Sequence, residues 1–157
     1  MLDELYNRKL KAEYQFLQLE CKYQHNLFDE ALKEFSTVFK EHLDKDVVSG
    51  LEKKKPEKKS LDKIYKKLAT KVHPDKLTGN HKEFQKLTKL IDDSDLDGLK
   101  KMGDKYGMDM EFDSFTYQHS IHNIREKIQW YENTIAYKWK YSDANMRKHI
   151  EKIIQNK

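Results

Sequence analysis

Two long apolar stripes flank the middle of this chain, and they constrain its fold more than any other feature. No Gly or Pro occurs before Gly50. In the first stripe the spacing alternates between four and three residues, at Leu10, Tyr14, Leu17, Cys21, Gln24, Phe28, Ala31, Phe35, Val38 and His42. This alternation is typical of a helix with a coiled-coil-like seam. The pattern therefore predicts one long N-terminal helix over residues 1–44.

The second stripe lies in residues 116–157 and has the same spacing. Its members are Ile121, Ile124, Ile128, Tyr131, Ile135, Trp139, Ser142, Met146, His149 and Ile153. Ser142-Asp143 could cap a new helix and divide the segment. Because each stripe needs an apolar partner, we predict an all-α fold built on a long antiparallel hairpin, in which the C-terminal long helix packs on the N-terminal one. The same seams could instead pair between chains, so a homo-oligomer stays open.

The composition agrees with a helical protein that carries an unusual amount of charge. Of the 157 residues, 37% are charged, well above the roughly 25% of an average soluble protein. With 5 Gly and 2 Pro, the chain has few turn signals. One cysteine, Cys21, cannot form an intrachain disulfide, which fits the cytoplasm. No apolar run reaches membrane-spanning length, so we expect no membrane association.

The middle of the chain begins with a charged linker, residues 45–59, and continues in a region of short helices, residues 60–108. Ser60 can cap a helix from Leu61 to about Val72, and Pro74 should end this helix at His73. A capping-box-like "NHKE" at Asn80 begins the next helix, whose apolar positions are Phe84, Leu87, Leu90 and Ile91. A third short helix starts at Ser94, carries Leu96, Leu99, Met102 and Tyr106, and stops at Gly107.

Positive charge is concentrated in one stretch of this middle region. From Lys53 to Lys76 there are ten Lys against three acidic residues, a local net charge of +7 in a chain whose total is +4. Such a block predicts an acidic protein partner, nucleic acid or simple solvation. Within the first short helix, one side carries Lys63, Lys66, Lys67 and Lys71, and the other Leu61, Ile64, Tyr65 and Leu68.

This helix and the residues after it resemble part of a known family. "YKKLA" from Tyr65, followed by "VHPDK" from Val72, is similar to the second helix and loop of a J-domain, the DnaJ-type co-chaperone module. Phe84, Leu87 and Ile91 resemble the apolar positions of that family's third helix. The resemblance covers about a fifth of the chain, from about Leu61 to Ile91.

The resemblance implies a co-chaperone that stimulates the ATPase of a DnaK-type heat-shock chaperone. It implies that the basic helix face steers onto an acidic surface of the chaperone. It also implies that the loop inserts near the interdomain linker, where Asp75 pairs with an arginine, Pro74 fixes the turn and His73 packs within it. The chaperone-binding residues implied in this way are His73, Pro74, Asp75, Tyr65, Lys66, Lys67, Lys63 and Lys71. The flanking helices would select an unknown client or an assembly.

The chain departs from the family upstream of this pair of helices. Where the family has its first helix, this sequence has "GLEKKKPEKK", which cannot supply an apolar helix face. A unit of about 30 residues is too small to be stable alone. We therefore expect the two long flanking helices to complete the core of the J-like region.

Two other functions are compatible with the sequence. One is a structural coiled-coil adaptor with an inactive J-like hairpin, and the other is a basic nucleic-acid-binding accessory. Nucleic acid is the less favoured partner, because the basic run of residues 53–59 lacks interleaved aromatics, although the run would also suit a nuclear-localisation signal. No catalytic arrangement, phosphate loop or complete metal-ligand set is recognisable, so we predict a non-enzymatic protein without a cofactor.

Overall fold

All regular structure in the computed structural model of this protein is helical within the ranges it describes, which are residues 1–42, 61–73 and 81–155. The all-α prediction is therefore confirmed. The linker predicted at residues 45–59, and the predicted caps Ser60 and Asn80, lie outside the described residues. Seven helices are described: α1 Leu2–Val38, α2 Asp62–Val72, α3 His81–Asp92, α4 Leu96–Lys105, α5 Ser114–Glu132, α6 Ile135–Tyr141 and α7 Ala144–Gln155.

The chain divides into two compact units, and helices α1 and α5 each contribute residues to both of them. Unit 1 draws on Met1–Gln15 and Glu57–Ile124, and so contains α2, α3, α4 and the first parts of α1 and α5. Unit 2 draws on Phe16–Pro56 and Arg125–Lys157, and so contains the rest of α1 and α5 together with α6 and α7.

The core of unit 1 is mainly aliphatic. Helix α2 packs on α3, and α3 packs on α4. The side chains of Leu68, Leu87, Leu96 and Leu99 are fully buried between these helices and their neighbours. Burying a leucine side chain contributes about 1.5–3 kcal/mol, so these four residues account for much of the driving force that assembles the short helices.

Helix α1 supplies a polar anchor to unit 1. The Tyr14 side chain is 1% exposed, and its hydroxyl donates to the carbonyl of Ser94 at 2.7 Å and accepts from the backbone N–H of Leu96 at 2.7 Å. Ser94 has a positive φ of 51°, which directs the chain into the N-terminus of α4. The expectation that a flanking helix completes the core of the short helices agrees with this contact.

The core of unit 2 is aromatic. Phe35, Phe39 and Trp139 contact one another, with ring centroids 4.8–5.7 Å apart. Ala31, Ala136, Ile150 and Ile154 are buried in the same cluster. A second aromatic group joins Phe28 of α1 to Trp130 and Tyr131 of α5.

The predicted seam of α1 is buried over most of its length. Its members from Leu10 to Phe35 are 0–9% exposed. The seam then shifts by one residue: Val38 is 56% exposed, whereas Phe39 is 2% exposed. Phe39 follows Phe35 by four residues and its N–H still donates to the Phe35 carbonyl at 3.0 Å, so it lies on the same buried side.

The C-terminal segment is three helices instead of the single long helix predicted for residues 116–157. Thr134 has an extended ψ of 151° and its hydroxyl donates to the carbonyl of Tyr131, a local bond that competes with the helix. The break predicted at Ser142-Asp143 is present, because the Asp143 side chain accepts from the backbone N–H of Met146 at 2.9 Å at the start of α7. These breaks change the angular register, so Ile150 and Ile154 are buried where Met146, His149 and Ile153 were predicted.

The antiparallel direction predicted for the two flanking segments is not what unit 2 contains. His25 and Phe28 contact Tyr131, while farther along the chain Phe35 and Phe39 contact Trp139. Residue numbers therefore rise together on the two sides, which indicates that the segments run in the same direction. An apolar stripe has no direction, and the long sequence between α1 and α5 permits either arrangement.

Candidate functional site

The predicted lysine face of α2 is present. Lys63, Lys66, Lys67 and Lys71 are all exposed, and their spacing of three and four residues places them on one side of the helix. On the other side, Leu68 and Val72 are completely buried and Ile64 is half-buried. Because burial fixes the apolar side, the rotation of α2 about its axis is fixed, and the lysines form one outward-facing cationic surface.

The helix ends where the sequence predicted. Val72 is the last helical residue, and His73 has φ −59° and ψ 135°, the extended conformation expected of a residue that precedes proline. The backbone N–H of His73 still donates to the carbonyl of Ala69 at 3.0 Å. His73 therefore lies directly against the end of the lysine-bearing helix. Pro74 and Asp75 lie outside the described residues.

Phe84 of α3 contacts two of the predicted chaperone-binding residues. Its ring centroid is 5.1 Å from that of His73 in an edge-on arrangement at 72°. It is 6.4 Å from the centroid of Tyr65, at 58°. Both Tyr65 and His73 are half-buried, so each ring is held on one side and accessible on the other. Phe84 thereby fixes the side chain that begins the His-Pro-Asp sequence relative to the basic helix.

Helices α3 and α4 are tied together next to this contact. Glu83, the neighbour of Phe84, forms an ion pair with Lys105 at 3.2 Å and accepts from the Tyr106 hydroxyl at 3.3 Å. Desolvation by burial, together with the negative charge of Glu83, raises the pKa of Tyr106. The phenol therefore stays protonated and serves as a donor. Gly107, with φ +71°, then ends the turn after α4 as predicted.

An acidic segment that sequence analysis did not single out lies beside the lysine face. A groove of about 230 Å³ is lined by α2 on one side and by the segment after α4 on the other, and its residues are Lys63, Ile64, Lys67, Asp109, Met110 and Glu111. The signal in the sequence is the alternation of "MDMEFD" from Met108, in which every second residue is acidic. Met110 is buried, whereas Asp109 and Glu111 are exposed.

Asp113, the third acidic residue of this segment, caps α5. Its carboxylate accepts from the backbone N–H of Thr116 at 2.8 Å and from the Thr116 hydroxyl at 2.9 Å. These hydrogen bonds, with a smaller contribution from the positive charge of Lys63, lower the pKa of Asp113. The cap fixes the end of the acidic segment to the start of a helix.

Several apolar side chains are exposed on one face of α1 within unit 2. Phe16, Leu19 and Tyr23 follow a spacing of three and four residues and are 64%, 68% and 58% exposed. By contrast, Tyr131 and Trp139 of the predicted C-terminal stripe are buried.

Within the described ranges, no group of three or more His, Cys, Asp or Glu side chains could hold a metal ion. In the same part of the chain, no helix has the length and apolar character needed to cross a membrane.

Comparison of the chain with protein-family models, with curated proteins and with solved structures gave no match. The function is therefore argued from the residues and geometry of the site.

Proposed function

We propose that this protein is a J-like co-chaperone that binds a DnaK-type chaperone and stimulates its ATPase. The observation that carries the proposal is the continuity of the site. One helix presents four exposed lysines on a single face, and it ends at the histidine of His73-Pro74-Asp75. A single residue, Val72, separates the last lysine of this cationic surface from the His-Pro-Asp tripeptide.

In this proposal the two parts of the site act at different stages. The lysines attract the acidic surface of the ATPase domain, an effect that reaches about 8 Å at physiological ionic strength and raises the rate of encounter. The tripeptide then contacts the region near the interdomain linker, where Asp75 pairs with an arginine. Binding that favours the hydrolysis-competent arrangement of the chaperone shifts its population toward that arrangement. The long flanking helices select the client or the assembly, a role that the exposed apolar face of α1 supports.

The role proposed for His73 is to hold the tripeptide against the end of α2. Its ring packs edge-on against Phe84, and its backbone is anchored to Ala69. A side chain held in this way loses less conformational entropy on binding than a free one.

Single-turnover ATP hydrolysis by a DnaK-type chaperone tests the proposal. His73→Gln and Asp75→Asn should each abolish stimulation, while circular dichroism stays unchanged. The double variant Lys66→Ala, Lys67→Ala should instead raise the concentration needed for half-maximal stimulation about tenfold, because two screened charge contacts of about 0.5–1 kcal/mol each are lost. The control is Lys100→Ala, Lys101→Ala, which removes the same charge from exposed positions on α4.

Other outcomes of this experiment support the other functions. No stimulation by the wild-type protein at micromolar concentration would contradict the proposal and favour a structural adaptor. Nucleic-acid binding with a steep salt dependence, lost when Lys53–Lys55 are neutralised, would favour the basic accessory protein.

A further inference from the structure

Helix α1 carries a second stripe of mainly apolar residues on the side away from its buried seam. The positions alternate between three and four residues, and all of them are exposed: Leu2, Leu5, Lys9, Ala12, Phe16, Leu19 and Tyr23. The five large apolar members are between 56% and 83% exposed, so the described residues of the chain leave the stripe uncovered. At a rise of 1.5 Å per residue it is about 32 Å long. Its period is that of a coiled-coil seam.

The seam that the sequence offered for pairing between chains is not accessible. Its members from Leu10 to Phe35 are 0–9% exposed, because they are buried within the protein itself. The exposed stripe shares no residue with that seam. A contact between two molecules through α1 would therefore use the exposed stripe, and the buried side of the helix would stay as it is.

The residues on the two edges of this stripe have opposite charges. Arg8 and Lys22 lie along one edge, whereas Glu13 and Glu20 lie along the other. In a parallel pair of helices, the basic edge of each copy faces the acidic edge of the other, and Arg8 lies beside Glu13 of the second copy. In an antiparallel pair, each edge would face a like-charged edge. These side chains are charged whatever contacts they make within their own chain, so the stripe is complementary to itself in one direction only.

We propose that this protein forms a parallel homodimer through the exposed stripe of α1. A second copy is the occupant to which the charges point, because a face that is basic on one edge, apolar in the middle and acidic on the other edge matches an identical face. One lysine at a seam position, as at Lys9, favours a specific two-stranded register at a cost in stability. The buried side of α1 already holds it as a helix, so association does not have to order this segment. The proposal is independent of the co-chaperone function.

Sedimentation equilibrium of the full chain measures this association. The wild type, with a chain mass of 18.9 kDa, should approach twice that mass as the concentration rises. Leu19→Glu should raise the dissociation constant of the dimer at least roughly 100-fold, because a charge buried in an apolar contact without a partner is strongly unfavourable. Since Leu19 is exposed in the single chain, circular dichroism should stay unchanged.

The matched control is Val38→Glu, which introduces the same charge at another exposed apolar position of α1, outside the stripe. It should leave the dissociation constant unchanged. A wild type that stays monomeric at millimolar concentration would overturn the proposal, and so would a Leu19→Glu variant that dimerises as well as the wild type. If the wild type is monomeric but binds a chemically unfolded polypeptide through Leu19, the stripe is a surface for clients and the proposal is wrong.

Disulfide trapping tests the direction of the two helices. Cys21→Ala removes the native thiol, and Leu5→Cys places a new one near one end of the stripe. In a parallel dimer the two copies of position 5 face each other, so mild oxidation should link the dimer covalently. In an antiparallel dimer, position 5 would lie near position 23 of the other copy. A disulfide between Leu5→Cys of one molecule and Tyr23→Cys of another, without a link between two copies of position 5, would overturn the parallel arrangement.

Discussion

Unit 1 and unit 2 are stabilised by different kinds of core. In unit 1 the most buried side chains are leucines of short helices, and a polar contact from Tyr14 fixes the loop before α4. In unit 2 the buried cluster combines the aromatic rings of Phe35, Phe39 and Trp139 with the aliphatic side chains of Ala31, Ala136, Ile150 and Ile154. Aromatic side chains bury about 150–250 Å² each, so one substitution among the buried rings of unit 2 removes more contact area than one leucine substitution in unit 1.

The difference has a functional side. Short helices with narrow apolar faces leave their remaining surface free to carry charge, and α2 uses that surface for its lysines. Substitutions that compare the two kinds of core should therefore have effects of different size and location.

We expect the largest effect in unit 2, from Trp139→Ala. The Trp139 ring is 1% exposed, contacts Phe35 and Phe39, and lies 4.3 Å from the Arg147 guanidinium. Its Nε1–H donates to Glu151 at 3.1 Å. Loss of these contacts should lower the free energy of unfolding by about 3–5 kcal/mol, measured by urea denaturation.

Amide hydrogen exchange would show which helices are destabilised by Trp139→Ala. Amides of α6 and α7 should lose the most protection in Trp139→Ala. Trp130→Ala is the control, because Trp130 is half-buried and its removal should cost less. Equal costs for the two tryptophans would contradict a core centred on Trp139.

In unit 1 the corresponding change is Tyr14→Phe, which removes one oxygen atom and two hydrogen bonds. The Ser94 carbonyl and the Leu96 N–H would lose their bonds to this buried hydroxyl. We expect a cost of about 1–3 kcal/mol, measured by denaturant unfolding, with faster amide exchange at the start of α4. Tyr117→Phe is the control, since its ring packs edge-on against Tyr14 at 5.7 Å and would keep that contact. An equal loss of unfolding free energy in both variants would show that the two hydrogen bonds of Tyr14 do not contribute specifically to stability.

The smallest effects should come from two matched helix caps, one in each unit. Asp113 accepts from the N–H of Thr116 in unit 1, and Asp143 accepts from the N–H of Met146 in unit 2. Asp113→Ala and Asp143→Ala should each cost about 1 kcal/mol in thermal or denaturant unfolding. A cost several times larger at one position would mean that the aspartate there does more than cap a helix.

The cap at Asp113 also predicts a pH dependence. Because its pKa is lowered in the folded protein, its stabilisation is fully present above the unfolded pKa and is lost as the pH falls through the folded pKa. The difference in stability between the wild type and Asp113→Asn should therefore shrink on acidification below about pH 4. A difference that grows in acid would contradict the direction of this shift.

Much of the secondary structure follows from local sequence signals. The three/four spacing of α1 predicts its buried side from Leu10 to Phe35, and Pro74 predicts the end of α2 at His73. The break between α5 and α6 was not predicted. The hydrogen bond from the Thr134 hydroxyl to the Tyr131 carbonyl accompanies this break, but a single threonine within an apolar stripe does not signal a break by itself. That break changes the register of the last helix, which is why Ile150 and Ile154 replace the predicted seam residues there.

The residues of the candidate site also fall into two groups, those that the sequence predicts and those that it does not. The lysines of α2 and the position of His73 at its end could be read from the sequence, since both depend on helix periodicity and on the proline that follows. Asp109 and Glu111 could not, because they are more than 40 residues away from Lys63 and Lys67, and periodicity reports only on neighbours along one element.

By itself, then, the sequence determined that this protein is helical, which side of α1 and α2 is buried, and where the basic helix stops. Only the tertiary structure decided the direction in which the flanking segments run, the carbonyl and N–H that Tyr14 binds, and the acidic segment that lies along half of the lysine face. The physical reason is that periodicity and capping act over one or two helical turns, whereas these three outcomes depend on which distant surfaces bury each other's apolar side chains and bring opposite charges together.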